Sequence, residues 1–248
     1  VVEAFNINIY EKAGYEADDV IGTLCEKRQV DRDDVLSVIV TGDLDTLQLV
    51  DDNTEVFTLK KGMSETFTYD QAAVKEKFDG LKPEQMVDYK ALRGDPSDNI
   101  PGVKGIGEKG AIGLLKVFGD LDTLYKEVEK DSKKAQENIP ARKRKLLLEH
   151  KDDALLSREL AEIKRDVKLD FDLQDCAVRP YDKQKVINLF SELEFRTLFN
   201  RLPESEAQSG QENIETPKEK GVRYELVDSD KKFKTFLAAL KKQKVFCF

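Results

Sequence analysis

The sequence predicts an α/β fold in which a mostly parallel sheet with helices is followed by a largely helical half containing a helix–hairpin–helix. Three observations predict this class. Residues 35–40 (VLSVIV) form a short apolar run rich in β-branched residues, which is typical of a buried parallel strand. Residues 94–111 (GDPSDNIPGVKGIGEKGA) form a Gly-rich turn between two helical patterns. From there to residue 202, apolar residues recur mainly at helical spacing.

The first elements predicted along the chain are two helices and a strand. The N-terminal residues have the pattern of the middle of a helix. A second helix begins near Ala17, because Val20, Ile21 and Leu24 follow at helical spacing. The strand at 35–40 comes next and ends in TGDLD, which is followed by the helical pattern TLQLV. In open α/β sheets, sites form at the carboxyl ends of strands, so TGDLD is a candidate site segment.

Two strands and two helices follow, at residues 55–61, 64–69, 70–78 and 83–93. The strands lie on either side of a turn at Gly62. Thr68 or Asp70 caps the first of the two helices. Pro83 stands at the first position of the second helix, and Gly94 ends it.

The helical half is predicted to contain helices at residues 108–118, 122–129 and 140–164, and one or two further helices at 181–202. We expect the long helix at 140–164 to bury its leucines on one inner face: Leu147, Leu148, Leu155, Leu156 and Leu160. Residues 203–221 then lose almost all apolar character, which predicts a linker. Beyond it, residues 222–227 and 245–248 predict strands on either side of a helix at 230–241.

Composition limits the class of protein. With 40% hydrophobic and 36% charged residues, the chain is globular. It has no apolar run of membrane-spanning length, and its N-terminus lacks the pattern of a signal peptide. Cys25, Cys176 and Cys247 lie far apart, and His150 is the single histidine, which argues against a zinc site and for a reducing cytoplasmic setting.

Charge is distributed unevenly along the chain. The formal net charge of −8, taken as a sum, argues against a nucleic-acid partner. However, segment 133–151 contains seven Lys or Arg residues and only two Glu. Its densest part is Arg142, Lys143, Arg144 and Lys145. The segment is either a solvated helix face or a nucleic-acid surface, and the sequence leaves both open.

The Gly-rich stretch has the features of a phosphate-binding turn. A turn of this kind at the start of a helix presents backbone N–H groups and the positive end of the helix dipole. Gly105, Gly107 and Gly110 spell G-x-G-x-x-G, but no strand precedes them, and Glu108 stands where a P-loop requires Lys. We therefore predict a helix–hairpin–helix, which holds the DNA backbone without reading bases. The alternative is an ordinary helix–turn–helix corner.

Three acidic groups stand where a strand or loop meets a helix: Glu16/Asp18/Asp19, Asp43/Asp45 and Asp95/Asp98. Each has an ordinary explanation as helix caps or dipole complements. If they share one cleft, unit charges about 5 Å apart repel by roughly 3 kcal/mol per pair at an effective dielectric of about 20, so cations are needed. Oxygen ligands suit Mg²⁺ or Mn²⁺. Two such ions would clamp the attacking and leaving oxygens in phosphodiester hydrolysis, and no side-chain nucleophile would be needed.

The segments GYEADD, TGDLD and GDPSDNIPGVKGIG, in this order, resemble the 5′-nuclease domains of bacterial DNA polymerase I, in the flap-endonuclease superfamily. The resemblance runs from Val1 to about Leu202. It implies structure-specific 5′–3′ exonuclease and flap endonuclease action on DNA, in primer removal and repair. It implies two Mg²⁺ or Mn²⁺ ions on Glu16, Asp18, Asp19, Asp43, Asp45, Asp95 and Asp98. The catalytic residues among these are Asp18, Asp19, Asp43 and Asp45.

The resemblance also implies a DNA-binding surface on the hairpin, where the family often binds K⁺. Its residues here are Gly102, Val103, Lys104, Gly105, Ile106, Gly107 and Lys109, together with Arg142, Lys143, Arg144 and Lys145. The implied partner is duplex DNA with a 5′ flap, nick or gap. We expect a monomer with no membrane contact.

The implied organisation is a 5′–3′ exonuclease domain at 1–202, divided into an α/β catalytic part (1–93) and a helical part (94–202). A linker (203–221) and the opening of a 3′–5′ exonuclease-like domain (222–248) follow. The family's first strand, its further metal-binding Asp and its helical arch have no counterpart before Val1, so we expect an incomplete sheet. The chain is then either a nuclease or a non-catalytic duplex-binding fragment. A third possibility is a structural protein whose acidic groups are only helix caps.

Overall fold

The computed structural model describes residues 1–31, 35–60, 65–203 and 226–242. Its strands are β1 (Ser37–Val40), β2 (Thr54–Lys60) and β3 (Glu65–Tyr69). Its α-helices are α1 (Ala17–Asp31), α2 (Gln71–Lys77), α3 (Met86–Arg93), α4 (Glu108–Phe118), α5 (Leu121–Glu129), α6 (Lys133–Asn138), α7 (Ala141–Glu149), α8 (Lys151–Ala161), α9 (Lys183–Glu192) and α10 (Asp230–Leu240). Short 3₁₀ helices lie at Val2–Phe5, Leu44–Leu49, Pro83–Gln85, Leu173–Cys176 and Phe199–Arg201. None of the helices in these ranges is long and apolar enough to cross a membrane.

The chain divides into two compact units, Val1–Phe199 and Asn200–Phe248. In the second unit, the predicted helix at 230–241 is present as α10, capped by Ser229. The predicted strand at 245–248, the first four residues of the strand at 222–227, and the linker from residue 204 onward lie outside the described residues. Leu226 and Val227, which are described, form no strand.

The sheet of the first unit has the order β1-β2-β3. β1 pairs with β2 in parallel, with Ile39 opposite Val56, whereas β2 pairs with β3 antiparallel, with Val56 opposite Tyr69. The mostly parallel sheet of the prediction is therefore a mixed one over the described residues. Only four residues separate β2 from β3, too few for the crossover that a parallel pair needs.

The α/β class with a helical second half is confirmed. Among the described residues, a hydrophobic core runs from Ile39 in β1 to Ile163 after α8 and includes the fully buried Leu47, Leu92 and Leu115. The sheet and the helices that follow it therefore share one interior. The division into parts at 1–93 and 94–202 stays a prediction.

Two predicted helices near the start of the chain take other forms. The predicted N-terminal helix is wrong, because only a 3₁₀ helix at Val2–Phe5 forms, and Asn6 ends it with a left-handed φ of 56°. The TLQLV pattern lies within a 3₁₀ helix, Leu44–Leu49. Asp43 caps that 3₁₀ helix, since its Oδ1 accepts a hydrogen bond from the Asp45 N–H at 2.9 Å. Asp70, one of the two predicted caps, does the same for α2 by accepting from the Ala73 N–H.

The single long helix predicted at 140–164 is wrong. His150, with φ −112° and ψ 24°, separates α7 from α8, and its Nδ1 is hydrogen-bonded to Asp153 Oδ2. The predicted inner face is also wrong for four of its five leucines: only Leu147 is buried, and the exposed ones are Leu148, Leu155, Leu156 and Leu160. The buried residues of α8 are instead Ala154, Ser157 and Ala161. These small side chains lie where α8 packs against α3.

The remaining helices of this half follow the prediction to different degrees. The short helix α6, capped by Ser132, lies in the basic segment and has no predicted counterpart. The pattern at 181–202 gives α9 and the 3₁₀ helix Phe199–Arg201. The helices predicted at 108–118 and 122–129 correspond to α4 and α5.

Candidate functional site

Three carboxylates from two segments of the chain surround the ammonium group of Lys90. Lys90 lies on α3, Asp45 follows β1, and Asp95 and Asp98 lie in the loop after α3. Lys90 Nζ contacts Asp45 Oδ2, and it lies 2.9 Å from Asp95 Oδ2 and 3.5 Å from Asp98 Oδ2. One oxygen of each carboxylate lies within 4.8 Å of the other two. The Lys90 side chain is only 12% exposed, so this is a cation held in an acidic pocket and not a surface ion pair.

The position of Asp95 is fixed by a tight turn. α3 ends at Gly94, whose φ of 75° favours glycine. The backbones of Asp95 and Ile100 then exchange two hydrogen bonds of 2.9 Å, which closes the loop that contains Asp98. Asp95 Oδ1 accepts hydrogen bonds from the Ser97 hydroxyl and from the Ser97 N–H. These bonds, together with that from Lys90, lower the pKa of Asp95 to about 2, so its carboxylate stays ionised.

Asp45 links this cluster to the acidic residues of the other two groups. Burial raises the pKa of Asp18, and the nearby charges of Asp43 and Asp45 raise it further. Burial also raises the pKa of Asp45 against the opposing effect of Lys90. Burial lowers the pKa of Lys90, but its hydrogen bonds to Asp45 and Asp95 outweigh burial, and the net shift is upward. The three predicted acidic groups therefore belong to one electrostatic neighbourhood with Asp45 at its centre.

The remaining acidic candidates have different surroundings. Asp19 is committed to backbone groups: its Oδ1 accepts from the Lys164 N–H at 2.8 Å and its Oδ2 from the Glu16 N–H at 3.2 Å. Glu16 and Asp43 are exposed. The structure thus brings Asp45, Asp95 and Asp98 together and places Asp18 and Asp43 within electrostatic reach of Asp45. In Asp19, Oδ1 joins α1 to the segment after α8, whereas Oδ2 binds the backbone at the start of α1.

The hairpin between α3 and α4 is anchored to the core. Gly102 has a φ of 62°, and a Cβ there would lie 2.3 Å from the Gly94 nitrogen, so no other residue fits without a shift of backbone. The Gly102 N–H donates to the buried Ser157 Oγ at 2.8 Å, and the Val103 N–H donates to the Leu92 carbonyl at 2.9 Å. Val103 and Ile106 are buried, so two of the predicted DNA-binding residues hold the hairpin in place with their side chains.

The outer side of the hairpin presents unused donors. Among the described residues, the backbone N–H groups of Gly105 and Gly107 donate to no protein acceptor. Gly107 is the N-cap of α4 and supplies no side-chain cap, so the positive end of the α4 dipole points outward beside the exposed Lys104 and Lys109. Backbone donors, a helix N-terminus and two ammonium groups are suited to an anion such as a phosphate.

The basic segment lies beside this surface. A Cβ at Gly105 would lie 3.3 Å from Leu146 Cδ1, so α7 adjoins the hairpin. Arg144 is committed to structure, since it donates to the Ile139 carbonyl at 2.7 Å and pairs with Asp131 at 3.3 Å. Lys145 pairs with Glu149. Arg142 and Lys143 are exposed and form no ion pair with any described carboxylate, so they are the charges available to a partner.

Two residues with a role at the site were not predicted from the sequence. Lys90 lies four residues after Met86 on a short helix, and the apolar pattern of that helix does not distinguish it from an exposed lysine. Its place in the last turn before the GDPSD loop was the available signal. Ser157 is a small polar residue close to several leucines. This break in the apolar pattern was the feature that could have indicated a special role for it.

Comparison with known proteins places this arrangement in context. Residues 1–79 match the family profile of the 5′-3′ exonuclease N-terminal resolvase-like domain, and residues 81–184 match that of the 5′-3′ exonuclease C-terminal SAM fold. DNA polymerase I of Chloroflexus aurantiacus is 45% identical over 208 residues, which cover 82% of this chain and 21% of that protein. DNA polymerase I of Bacillus subtilis is 40% identical over 213 residues, which cover 86% of this chain and 23% of that protein. The chain therefore spans less than a quarter of the length of these relatives.

Two solved structures share the fold. One is the T5 5′-exonuclease with bound zinc ions, with a TM-score of 0.51 and 21% identity, covering 62% of this chain and 52% of that one. The other is a bacteriophage T5 flap endonuclease in a pseudo-enzyme-product complex with DNA and metal ions, with the same TM-score, identity and coverage. At this identity, the likeness shows the fold alone.

Proposed function

The chain belongs to the 5′–3′ exonuclease family, whose N-terminal resolvase-like and C-terminal SAM-fold domains it contains in sequence, and from this membership we propose that it is a structure-specific 5′–3′ exonuclease and flap endonuclease. It acts on DNA phosphodiesters as the 5′-nuclease part of a DNA polymerase I, in primer removal and repair. This assignment rests on the polymerase relatives and on a candidate site whose chemistry suits phosphodiester hydrolysis.

The convergence of Asp45, Asp95 and Asp98 on one cation carries the proposal. All the donors are carboxylate oxygens, the ligand type that Mg²⁺ and Mn²⁺ prefer. The ammonium group of Lys90 stands among them, which supports the fit of a cation at this position. When bound, two divalent ions would stabilise the charge that develops on the phosphate and activate water.

The roles of the acidic residues follow from their surroundings. Asp45, Asp95 and Asp98 would hold one ion, and Asp18, Asp43 and Glu16 would contribute to a second, with Asp45 next to both. Asp19 would act through water, because both of its oxygens already accept backbone hydrogen bonds. The catalytic set of Asp18, Asp19, Asp43 and Asp45 stays a prediction.

Duplex DNA would bind through its phosphates to the hairpin and to the start of α7. The N–H groups of Gly105 and Gly107 would donate to a phosphate, with Lys104 and Lys109 beside them. Arg142 and Lys143 would extend the contact. A K⁺ ion at the hairpin, a preference for flapped, nicked or gapped duplex, a monomeric state and a cytoplasmic location belong to the same proposal.

The test is cleavage of a 5′-flap DNA in Mg²⁺ and in EDTA. The informative variant is Asp43→Asn, because Asn keeps an oxygen that can cap the 3₁₀ helix but removes the charge. We expect cleavage near the flap junction in Mg²⁺, none in EDTA, and a rate lowered roughly ten- to a hundredfold in Asp43→Asn, the range seen when the surroundings of a metal are altered. The matched control is Asp79→Asn, an exposed aspartate paired with Lys116 away from the cluster, which should cleave at the wild-type rate.

Two results would contradict the proposal. Equal rates in wild type and Asp43→Asn would show that the acidic neighbourhood is not the catalytic site. Tight binding of flap DNA without cleavage in Mg²⁺ or Mn²⁺ would show that this chain binds duplex but does not hydrolyse it.

A further inference from the structure

We propose that Lys90 is an internal counter-cation, which a divalent ion must displace from the Asp45–Asp95–Asp98 cluster in order to bind. The inference rests on the proposed metal centre and deepens it, because it makes metal binding an exchange of one cation for another. It assigns Lys90 a role before the reaction, in setting the affinity of the site for the ion.

The contacts of Lys90 differ from those of the other lysines in the described chain. Its Nζ reaches carboxylates from two chain segments, Asp45 after β1 and the pair Asp95 and Asp98 after α3. The side chain is nearly buried. By contrast, Lys116 pairs with one exposed partner, Asp79, and its side chain is 47% exposed.

Charge explains why the ammonium group of Lys90 lies in the cluster. Three carboxylates with oxygens within 4.8 Å of one another repel strongly in a partly buried site. Asp45 and Asp95 are the less exposed members, and Lys90 lies against both of them. One ammonium group therefore keeps the carboxylates converged when no ion is bound.

The same position cannot hold both cations. Lys90 Nζ contacts the Oδ2 atom of each carboxylate, so an ion bound to these groups would lie within a few ångströms of a like charge. The four-carbon stem of lysine is flexible, and its ammonium group can move away without a change in α3. Binding thus requires Lys90 to leave, and the cost of breaking its ion pairs lowers the apparent affinity for the ion.

The first test measures Mn²⁺ binding by electron paramagnetic resonance titration of the full chain. Lys90→Met keeps most of the apolar stem and removes the charge. We expect it to bind Mn²⁺ roughly tenfold more tightly than wild type or better, because neither the competing cation nor its repulsion remains. Lys116→Met, which changes the net charge equally but lies outside the cluster, should bind as wild type does.

The second test needs no variant and detects the displacement itself. Wild-type chain is acetylated briefly with an amine-reactive ester, with and without saturating Mn²⁺, and modification is quantified by mass spectrometry. Lys90 should react slowly in the ion-free chain, where it is buried and paired, and several-fold faster with Mn²⁺. Lys116 should react at the same rate in both samples.

The outcomes separate this inference from the proposed function. If wild type binds Mn²⁺ but Lys90→Met binds it equally or more weakly, Lys90 does not compete with the ion and the inference is wrong. Acetylation of Lys90 that is unchanged or slowed by Mn²⁺ would overturn the inference as well. Should Lys90→Met fail to fold, the acetylation measurement on wild type still tests the inference. If neither wild type nor Lys90→Met binds Mn²⁺, the proposed metal centre fails, and the inference fails with it.

Discussion

At the scale of single residues, the candidate site depends on how each carboxylate is held. Asp95 accepts hydrogen bonds from Ser97 and pairs with Lys90. Asp43 caps a 3₁₀ helix, and Asp19 accepts two backbone hydrogen bonds. The ordinary explanation of an acidic residue as a cap therefore applies to Asp43 and does not exclude a role in the site. The Asp45 carboxylate instead contacts the Lys90 side chain, and its charge also reaches Asp18.

Ser97→Ala tests the hydrogen bond that contributes most to the lowered pKa of Asp95. We expect the pKa of Asp95 to rise from about 2 towards the usual value of about 3.9. A lowered folded-state pKa contributes stability that is present above the unfolded pKa and is lost as the pH falls through the folded one. Ser97→Ala should therefore be less stable than wild type at pH 7, and the difference should shrink as the pH falls from about 4 through 2.

Carboxyl-carbon NMR titration and urea unfolding across this pH range measure both quantities. A pKa of Asp95 that stays near 2 in Ser97→Ala would mean that Lys90 and the backbone N–H of residue 97 keep it low without the hydroxyl.

Gly107→Ala tests whether the hairpin backbone meets a phosphate closely. Gly107 has an ordinary φ of −95°, and a Cβ there would meet nothing within 4 Å, so the fold does not require glycine. We expect unchanged stability but duplex binding weakened by about tenfold, which corresponds to about 1.4 kcal/mol of binding free energy. The control is Gly113→Ala, which also has open space but lies inside α4. Equal binding by both variants, measured by fluorescence anisotropy, would contradict a phosphate contact at Gly107.

At the scale of elements, α8 determines where the hairpin lies. Its small buried residues allow close packing on α3, and Ser157 then reaches the Gly102 N–H. The Ser157 hydroxyl also donates to the Asp153 carbonyl one turn earlier, as serines in helices commonly do. One side chain thus connects α8 to the turn that precedes the donor surface.

Ser157→Ala tests this connection. It leaves a buried N–H at Gly102 without a partner, which costs about 1–3 kcal/mol of the free energy of unfolding. The matched control is Ser191→Ala, because Ser191 makes the same bond to the carbonyl one turn earlier but is exposed. Its effect should stay within about 0.5 kcal/mol. Equal losses of stability for the two variants in urea unfolding would show that the bond to Gly102 contributes nothing.

The elements also show what a single sequence can predict. The starts of α1 and α4 and the end of α3 at Gly94 were predictable because local chemistry determines them. For two caps the sequence left a choice between two residues, and the structure uses Asp43 and Asp70. The break at His150 was not, because no Gly or Pro marks it. A continuous helix over residues 140–164 would place the leucines on one buried face. The separate helix α8 instead buries small residues such as Ala154 and Ser157, which allow close packing on α3.

At the scale of the whole molecule, the acidic candidate site and the basic surface come from distant parts of one chain. The net charge of −8 conceals a local excess of positive charge in segment 133–151. The motifs predicted that the acidic groups would meet, but not the lysine among them, because the partner of a buried charge depends on tertiary packing. From the sequence alone, the four consecutive basic residues at 142–145 are equivalent candidates for binding a partner. In the structure, Arg144 is paired within the chain, whereas Arg142 and Lys143 are exposed.

The double variant Arg142→Gln/Lys143→Gln tests that separation. If both side chains bind phosphates, the slope of log binding constant against log salt should become less steep by about 1.8, at about 0.9 for each phosphate no longer neutralised. The control is Lys82→Gln/Lys116→Gln, which removes the same charge from lysines already paired with exposed acids and should leave the slope unchanged. The same slope for both double variants in fluorescence anisotropy titrations would show that α7 does not contact the duplex.

We propose that carboxylates from separate segments of the chain form one divalent-metal centre, in which Asp45 lies next to both ions. Mn²⁺ titration by electron paramagnetic resonance, applied to wild type, Asp45→Asn and the control Asp79→Asn, tests this proposal. We predict saturable Mn²⁺ binding in wild type and Asp79→Asn, and binding weakened at least about tenfold in Asp45→Asn, because this variant loses the negative charge that lies next to both proposed ions. Equal Mn²⁺ affinity in Asp45→Asn and wild type would contradict the claim.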